Sequence, residues 1–285
     1  MSPLEAAAPT DRAALAALLA QTRGAVAFIA GGTDILVAPR SLPSAGLLVD
    51  LSRTRDLAGV VVEADVLRIG AATTLAALAG HALIRARLPA LAEAAALCGC
   101  VQIRNRATLG GNVATTSAAS DITPVLACFD ARFRTLSRHG ERLLTFDALV
   151  PAAGGSGLAA GEAIVAAEIA LSGRLGRSAF AKLGPRDDLA IARLNLTLEA
   201  EFDGARFGAT RLIAGAVAPA PLRLARAEAA LAGRTPDAAT LADFDRALIA
   251  EIEAAIPGRA SLGYKRRAAV GLGRDLLARL IGSPL

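Results

Sequence analysis

The residues with the clearest chemical potential are two paired glycines. "FIAGGTDILV" spans Phe28–Val37 and "ATLGGNVATT" spans Ala107–Thr116. Each sets two residues without side chains in an apolar stretch and follows them with Thr, Asn or Asp. A glycine turn exposes closely spaced backbone N–H groups, which hold an anion without needing a lysine. Gly31-Gly32-Thr33-Asp34 and Thr108-Leu109-Gly110-Gly111-Asn112 together suit a diphosphate gripped from two sides.

Other reactive side chains are scarce. The chain has 2 histidines, His81 and His139, far apart and in contexts suited to a helix surface and a hairpin turn. A histidine metal site or a Ser-His-Asp triad does not fit that count. The 3 cysteines, Cys98, Cys100 and Cys128, make neither a disulfide framework, a CxxC redox pair nor an iron–sulfur cluster, and read as small buried apolar side chains. There is no Walker A motif. "PAAGGSGLAAGE", Pro151–Glu162, does not give GxGxxG and has no strand running into it, so it reads as a surface connection. No catalytic residue and no metal ligand is expected, and an organic cofactor or another subunit must supply the reactivity.

Composition narrows the class. At 285 residues and 54% apolar, the chain can bury a large core, and its length allows about two domains. The net charge of +5 is spread along the chain; its densest run is "YKRRAA" at Tyr264–Ala269, so nucleic acid is not an expected partner. No apolar stretch approaches the roughly 18 residues of a membrane span. "MSPLEAAAPTDR" has no basic and apolar leader pattern, and a cytoplasmic location is expected.

The elements that must position the glycines follow from periodicity. A helix is predicted over Thr10–Gln21, capped by the Thr, then a buried strand at Ala25–Ala30 that delivers the first glycine pair at its end. Leu47–Ser52 is a strand, Val60–Gly70 a hairpin turning near Ala64–Asp65, and Thr74–Ala79 and Pro89–Cys98 are helical. A second hairpin turns at His139–Gly140. "LNLTLEAEF", Leu194–Phe202, alternates as an antiparallel strand solvated on one side, with "ATRLIAGAVA" as its partner. Helices are predicted at Leu222–Ala232, Asp237–Ala255 and Gly263–Ile281.

Four motifs in order carry a family resemblance: "AGGTDILV" at Ala30–Val37, "QIRNRATLGGNVATTSAASDITPVL" at Gln102–Leu126, "KLGPRDDLAIA" at Lys182–Ala192 and "GAVAPAPLRL" at Gly215–Leu224. With them the chain resembles the FAD-binding subunit of the molybdenum hydroxylases, the xanthine dehydrogenase and carbon monoxide dehydrogenase group, over nearly its whole length. The resemblance implies an α+β fold: an FAD-binding domain of two α/β subdomains over residues 1–173, then a C-terminal domain over 177–285, a small antiparallel sheet packed with helices.

It also implies a site. The FAD diphosphate would lie between Phe28, Ile29, Ala30, Gly31, Gly32, Thr33, Asp34 and Ile35 on one side and Thr108, Leu109, Gly110, Gly111 and Asn112 on the other. Asp121 matches a residue near the adenosine ribose, Ile164 an apolar flavin-pocket position, and Lys182 a cation near the isoalloxazine ring that would favour the reduced, anionic flavin. From the residues alone Asp121 reads equally as a cap for the following turn and Ile164 as ordinary core. An aromatic that some xanthine-type members carry before the second motif is replaced by Cys98 or a neighbour. The cysteine-rich insertion of benzoyl-CoA-reducing relatives is missing.

The implied function is electron transfer in a multi-subunit enzyme. A large partner would carry the molybdenum cofactor, a small partner the iron–sulfur clusters, and FAD in this chain would pass electrons to NAD or another acceptor. Two alternatives stand beside it: a self-contained FAD-dependent oxidase, and a non-catalytic nucleotide-binding scaffold of the same fold. The first should supply its own substrate-side acid or base, for which neither histidine is placed.

Overall fold

The computed structural model of the chain describes residues 4–37, 46–172, 177–186 and 189–282. The polypeptide opens with a parallel sheet of three short strands, β1 (Leu4–Ala7), β2 (Val26–Ile29) and β3 (Gly46–Asp50), in the order β1-β3-β2. Helix α1 (Arg12–Gln21) joins β1 to β2 and buries Leu15 and Leu19. Its cap is Asp11 and not Thr10, because the Asp11 carboxylate accepts the Ala14 N–H at 2.8 Å.

A five-stranded antiparallel sheet follows: β4 (Val60–Glu63), β5 (Val66–Gly70), β6 (Arg132–Ser137), β7 (Gly140–Leu144) and β8 (Ala163–Ala170), ordered β4-β5-β8-β6-β7. Its two hairpins turn where predicted, through Ala64 at φ 52° and Gly140 at φ 95°. Six short helices lie between β5 and β6: α2 (Leu75–Gly80), α3 (Ala82–Arg87), α4 (Pro89–Leu97), α5 (Val101–Arg104), α6 (Leu109–Ala114) and α7 (Ile122–Cys128). Central strand β8 serves two cores. Ile164, Ala167 and Ile169 join the core under those helices, whereas Ala163 and Val165 join one shared with α1 and β3. A register shift opposite Arg134 and Thr135 gives β8 an extra residue there, which lets Ile164 and Ala167 share a side.

After α8 (Phe146–Leu149) and the connection to β8, the chain builds a second antiparallel sheet. It comprises β9 (Arg177–Leu183), β10 (Leu194–Asp203), β11 (Arg206–Gly215) and β12 (Leu222–Arg223), ordered β12-β11-β10-β9. Helices α9 (Ala225–Leu231), α10 (Ala238–Ala255) and α11 (Leu262–Ile281) complete this part. Strand β12 pairs with β11 through Leu222 and Arg223, so the helix predicted from Leu222 starts three residues later.

Of the β10 face expected to meet water, Glu199 and Glu201 are half-buried, but its first half is dry. Asn195 and Thr197 are fully buried because α7 packs across that side of the strand. Strand β9 links the two halves more intimately still: Phe180 enters the first core while Ala179 and Ala181 enter the C-terminal one, a direct use of the period-two alternation. Helix α4 clamps the same strand. Glu93 accepts the Phe180 N–H at 2.8 Å and pairs with Arg279, whose Nη1 donates to the Phe180 carbonyl at 2.9 Å. The expected domain division between 173 and 177 runs through residues 174–176, which lie outside the described ones. Among the described residues no helix is long and apolar enough to cross a membrane, and no group of three or more His, Cys, Asp or Glu could hold a metal ion.

Candidate functional site

The first glycine motif leaves the carboxyl end of β2, the place where ligands of open sheets gather. Gly32 holds the turn at φ +72°, and bonds from Leu36 N–H to the Gly32 carbonyl (3.3 Å) and from Val37 N–H to the Asp34 carbonyl (3.0 Å) close it. The N–H groups of Gly31, Gly32 and Thr33 donate to no acceptor among the described residues. Gly31 has a separate task. A Cβ there would lie 2.0 Å from the Arg106 carbonyl oxygen, so only glycine lets this turn rest on the residue that precedes the second motif.

The second motif is not a turn. Thr108 caps α6, its Oγ1 accepting the Gly111 N–H at 3.1 Å, and the glycine pair forms the first turn of that helix. Two of its N–H groups are consumed by the fold: Leu109 donates to Thr73 at 3.0 Å and Gly110 to Ala71 at 2.8 Å. The expectation of a second bank of open N–H donors is therefore corrected, and the open donors lie on the first motif. Gly110 is required for packing, since a Cβ would approach that of Ala71 to 2.6 Å. At Gly111 a Cβ would crowd only the Thr108 hydroxyl, at 2.9 Å.

These two motifs wall a cavity of about 860 Å³. All of Phe28–Ile35 lines it, with Thr108, Gly111, Asn112 and Asp121 opposite. Leu109 and Gly110 face inward and do not. Among the described residues that line it there is no Lys or Arg, and Phe28 is the one aromatic. Cys98 and Gly99 also border it, in the stretch where the expected aromatic is missing. Burial, and then the Asp121 charge, push the Cys98 thiol up to about 11 against the pull of Lys182 and Arg104, so it is no nucleophile at neutral pH. Leu189 and Ile191, 52% and 76% exposed, form the outer rim. A second cavity of about 370 Å³ adjoins the first, sharing Phe28, Ala30, Thr108, Gly111 and Ala114 and lined by Gly110 and Ile164.

Asp121 precedes α7, yet its side chain makes no capping bond; Ser120 Oγ takes that part, accepting the Ile122 and Thr123 N–H groups at 3.1 Å each. The Asp121 carboxylate instead receives Lys182 Nζ at 2.5 Å and Asn195 Nδ2 at 3.3 Å. Both members of the ion pair are nearly dry, with side chains 5% and 8% exposed. Burial raises the Asp121 pKa above the usual carboxylate value, and the charge and hydrogen bond of Lys182 and the hydrogen bond from Asn195 offset that only in part. Asp121 and Lys182 thus form one ion pair beside the larger cavity, while Ile164 lines the smaller one.

Sequence reasoning missed several members. Thr115, Ser117 and Ser120 extend the polar wall, and Ser120 Oγ donates to Asn112 Oδ1 at 2.7 Å; the string "TTSAAS" was their signal. The 151–162 connection is not merely a surface link, because Ser156, Leu158, Ala159, Gly161 and Glu162 line the second cavity. Neither His81 nor His139 lines either cavity. Two joined compartments, open N–H groups lining the larger one and glycine at their shared wall define a dinucleotide-binding protein.

The chain matches the family described as "FAD binding domain in molybdopterin dehydrogenase" over residues 2–170, and "CO dehydrogenase flavoprotein C-terminal domain" over residues 179–280. It belongs to this flavoprotein family of molybdopterin dehydrogenases, and is an oxidoreductase subunit. It is 28% identical to the xanthine dehydrogenase FAD-binding subunit of Escherichia coli O157:H7 over 242 residues, covering 84% of this chain and 82% of that one. Identity to the nicotinate dehydrogenase FAD-subunit of Eubacterium barkeri is also 28%, covering 90% and 88%. A solved carbon monoxide dehydrogenase from Hydrogenophaga pseudoflava, lacking the Mo-pyranopterin moiety of its cofactor, superposes with a TM-score of 0.84 at 27% identity, covering 98% of this chain and 97% of that one.

Proposed function

We propose that this chain is the electron-transfer subunit of a multi-subunit molybdenum hydroxylase and binds one FAD across the two compartments. The observation that carries the reading lies in the larger compartment beside the junction: unpartnered N–H groups at Gly31–Thr33 line it together with Gly111, which both compartments share. The Gly31, Gly32 and Thr33 N–H groups, with the Thr33 and Thr108 hydroxyls, would hold the diphosphate by neutral donors alone. Asp121 and Lys182 would fix the larger compartment's inner end with little net charge. Leu109 and Gly110 contribute by packing, Ile164 by shaping the smaller compartment.

FAD, when bound, supplies the capacity to take up electrons singly and release them in pairs. The named relatives, FAD-binding subunits and a carbon monoxide dehydrogenase with a molybdenum cofactor, support partner subunits beside this one; in this reading a large partner carries the molybdenum cofactor, a small one iron–sulfur clusters, and NAD or another acceptor ends the path. The parts on either side of residues 174–176 would act as FAD-binding and C-terminal domains of a cytoplasmic complex. The test is flavin content. Purified protein should carry one noncovalent FAD per chain, and Gly111→Asp should weaken FAD binding by at least about tenfold, since it sets a carboxylate against a diphosphate. Gly24→Asp, at a glycine with nothing within 4 Å, should retain it. A colourless protein that also fails to bind added FAD would overturn the reading.

A further inference from the structure

The densest basic run of the chain hides one of its cations. Lys265, near the start of α11, is 7% exposed, and its Nζ donates at 2.5 Å to a backbone carbonyl, that of Ala216. Among the described residues no carboxylate pairs with it. Burial, and then the charges of Arg259 and Arg193, lower its pKa below the ordinary lysine value. An ammonium buried beside two like charges, with a neutral oxygen as its partner, is costly to keep.

What the lysine holds is a strained turn. Ala216 sits at φ 64°, in the left-handed region that a residue with a Cβ enters at a cost, and it belongs to the "GAVAPAPLRL" motif, which lines neither compartment. Two bonds keep it there: Nζ on its carbonyl, and its own N–H on the Ala118 carbonyl at 2.9 Å. Gly215, one residue earlier, lies so close to Asn195 that a Cβ would fall 2.2 Å from Oδ1, and Asn195 Nδ2 donates to the Ser120 carbonyl at 3.0 Å. The C-terminal half thus grips the carbonyls of Ala118 and Ser120, in a segment whose Ser117, Ala119, Ser120 and Asp121 line the larger compartment. Across a trans peptide the N–H points away from the C=O, so the bond to Ser120 turns the Asp121 N–H the other way, and that N–H has no acceptor among the described residues. Thr116, which opens the segment, is left-handed too at φ 45°. A wall with so little local preference for its shape needs an outside support if it is to stand ready for a ligand.

We infer that Lys265 is a positioning residue of the FAD site: from α11 it locks Ala216 in its left-handed turn, and through Ala216 it sets the 117–121 wall of the larger compartment. The inference rests on the proposed FAD site. It is tested by titrating the full apo-chain with FAD, following flavin fluorescence. Lys265→Met, which keeps an unbranched side chain and loses the donor, should weaken FAD by about tenfold or more. Adding Ala216→Gly to that variant should restore the affinity to within about threefold of wild type, because glycine takes a positive φ without the lysine's help. Gly273→Ala, on the same helix and crowded to 2.9 Å by Leu248 and Phe244, controls for lost stability alone. It should shift FAD affinity by less than about threefold. A Lys265→Met chain that binds FAD like the wild type, a double variant no better than Lys265→Met, or an equal loss in Gly273→Ala each overturns the inference. Should Lys265→Met not fold, Ala216→Val carries the test, since it strains the same turn with the lysine intact: a loss of about tenfold supports the inference, and wild-type affinity overturns it. A wild type that binds no FAD overturns the proposed function, and this inference with it.

Discussion

At the scale of single residues, charge placement makes the sharpest expectations. Lys182 beside a flavin would favour its anionic reduced form, but Asp121 at 2.5 Å cancels most of that charge. Asp121→Asn should therefore move the midpoint potential of the bound FAD to more positive values, measured by dye-coupled titration. The same change strands an ammonium that is 8% exposed, and it should cost about 3–5 kcal/mol in denaturant unfolding of the apo-protein. Glu162 gives a pH signature. Burial alone would raise its pKa, yet hydrogen bonds from Arg142, Thr135 and the Ala159 N–H, with the Arg142 charge, bring it down from 4.5 to about 2. A folded-state value below the unfolded one means the ionised group stabilises the fold above pH 4.5, and that this stabilisation drains away as pH falls toward 2. The gap in urea midpoint between wild type and Glu162→Gln should accordingly be widest above pH 5 and close on acidification. A gap independent of pH would contradict the assignment.

At the scale of elements, α11 offers a matched pair of glycines. Gly271 has nothing within 4 Å of a virtual Cβ, and Gly271→Ala should stabilise by about 0.5–1 kcal/mol through helix propensity. Gly273, two residues on, would drive a Cβ to 2.9 Å from Leu248 Cδ2 and Phe244 Cε1. Gly273→Ala should lose about 1–3 kcal/mol by overpacking, and thermal unfolding of both variants reads the contrast. What sequence revealed at this scale follows the strength of the local signal. The helices α1, α10 and α11 and both hairpins announced themselves by period and turn residues. Strand β1 did not: its four residues are half or fully exposed, and parallel pairing with β3 leaves no alternating pattern to read. Nor did the helical state of Gly110 and Gly111, which rests on bonds to Ala71 and Thr73, nearly forty residues earlier in the chain. The first motif, the second motif's cap and Asp121 were legible because their residue types carry the chemistry. The wall at 156–162 was hidden, since its role depends on Arg142 and Thr135 in other strands.

At the scale of the whole molecule, β9 is where two cores meet. Phe180 is 1% exposed and sits among first-domain residues although its strand belongs to the C-terminal sheet. Phe180→Ala should cost about 3–5 kcal/mol and weaken FAD retention as well, because Lys182 lies two residues along the same strand; parallel melting and flavin-release curves check the coupling. Loss of stability with FAD retention unchanged would separate the two roles. Strand β9 has one more consequence, for how such a chain can be divided or recombined. A fragment ending at residue 172 would hold every glycine of both motifs and still leave Asp121 buried without its cation and the first core without the Phe180 ring. Two regions that match separate family descriptions thus depend on each other structurally, and a hybrid with a foreign C-terminal half needs a lysine and an aromatic ring in register on its first strand before the borrowed nucleotide cleft can work.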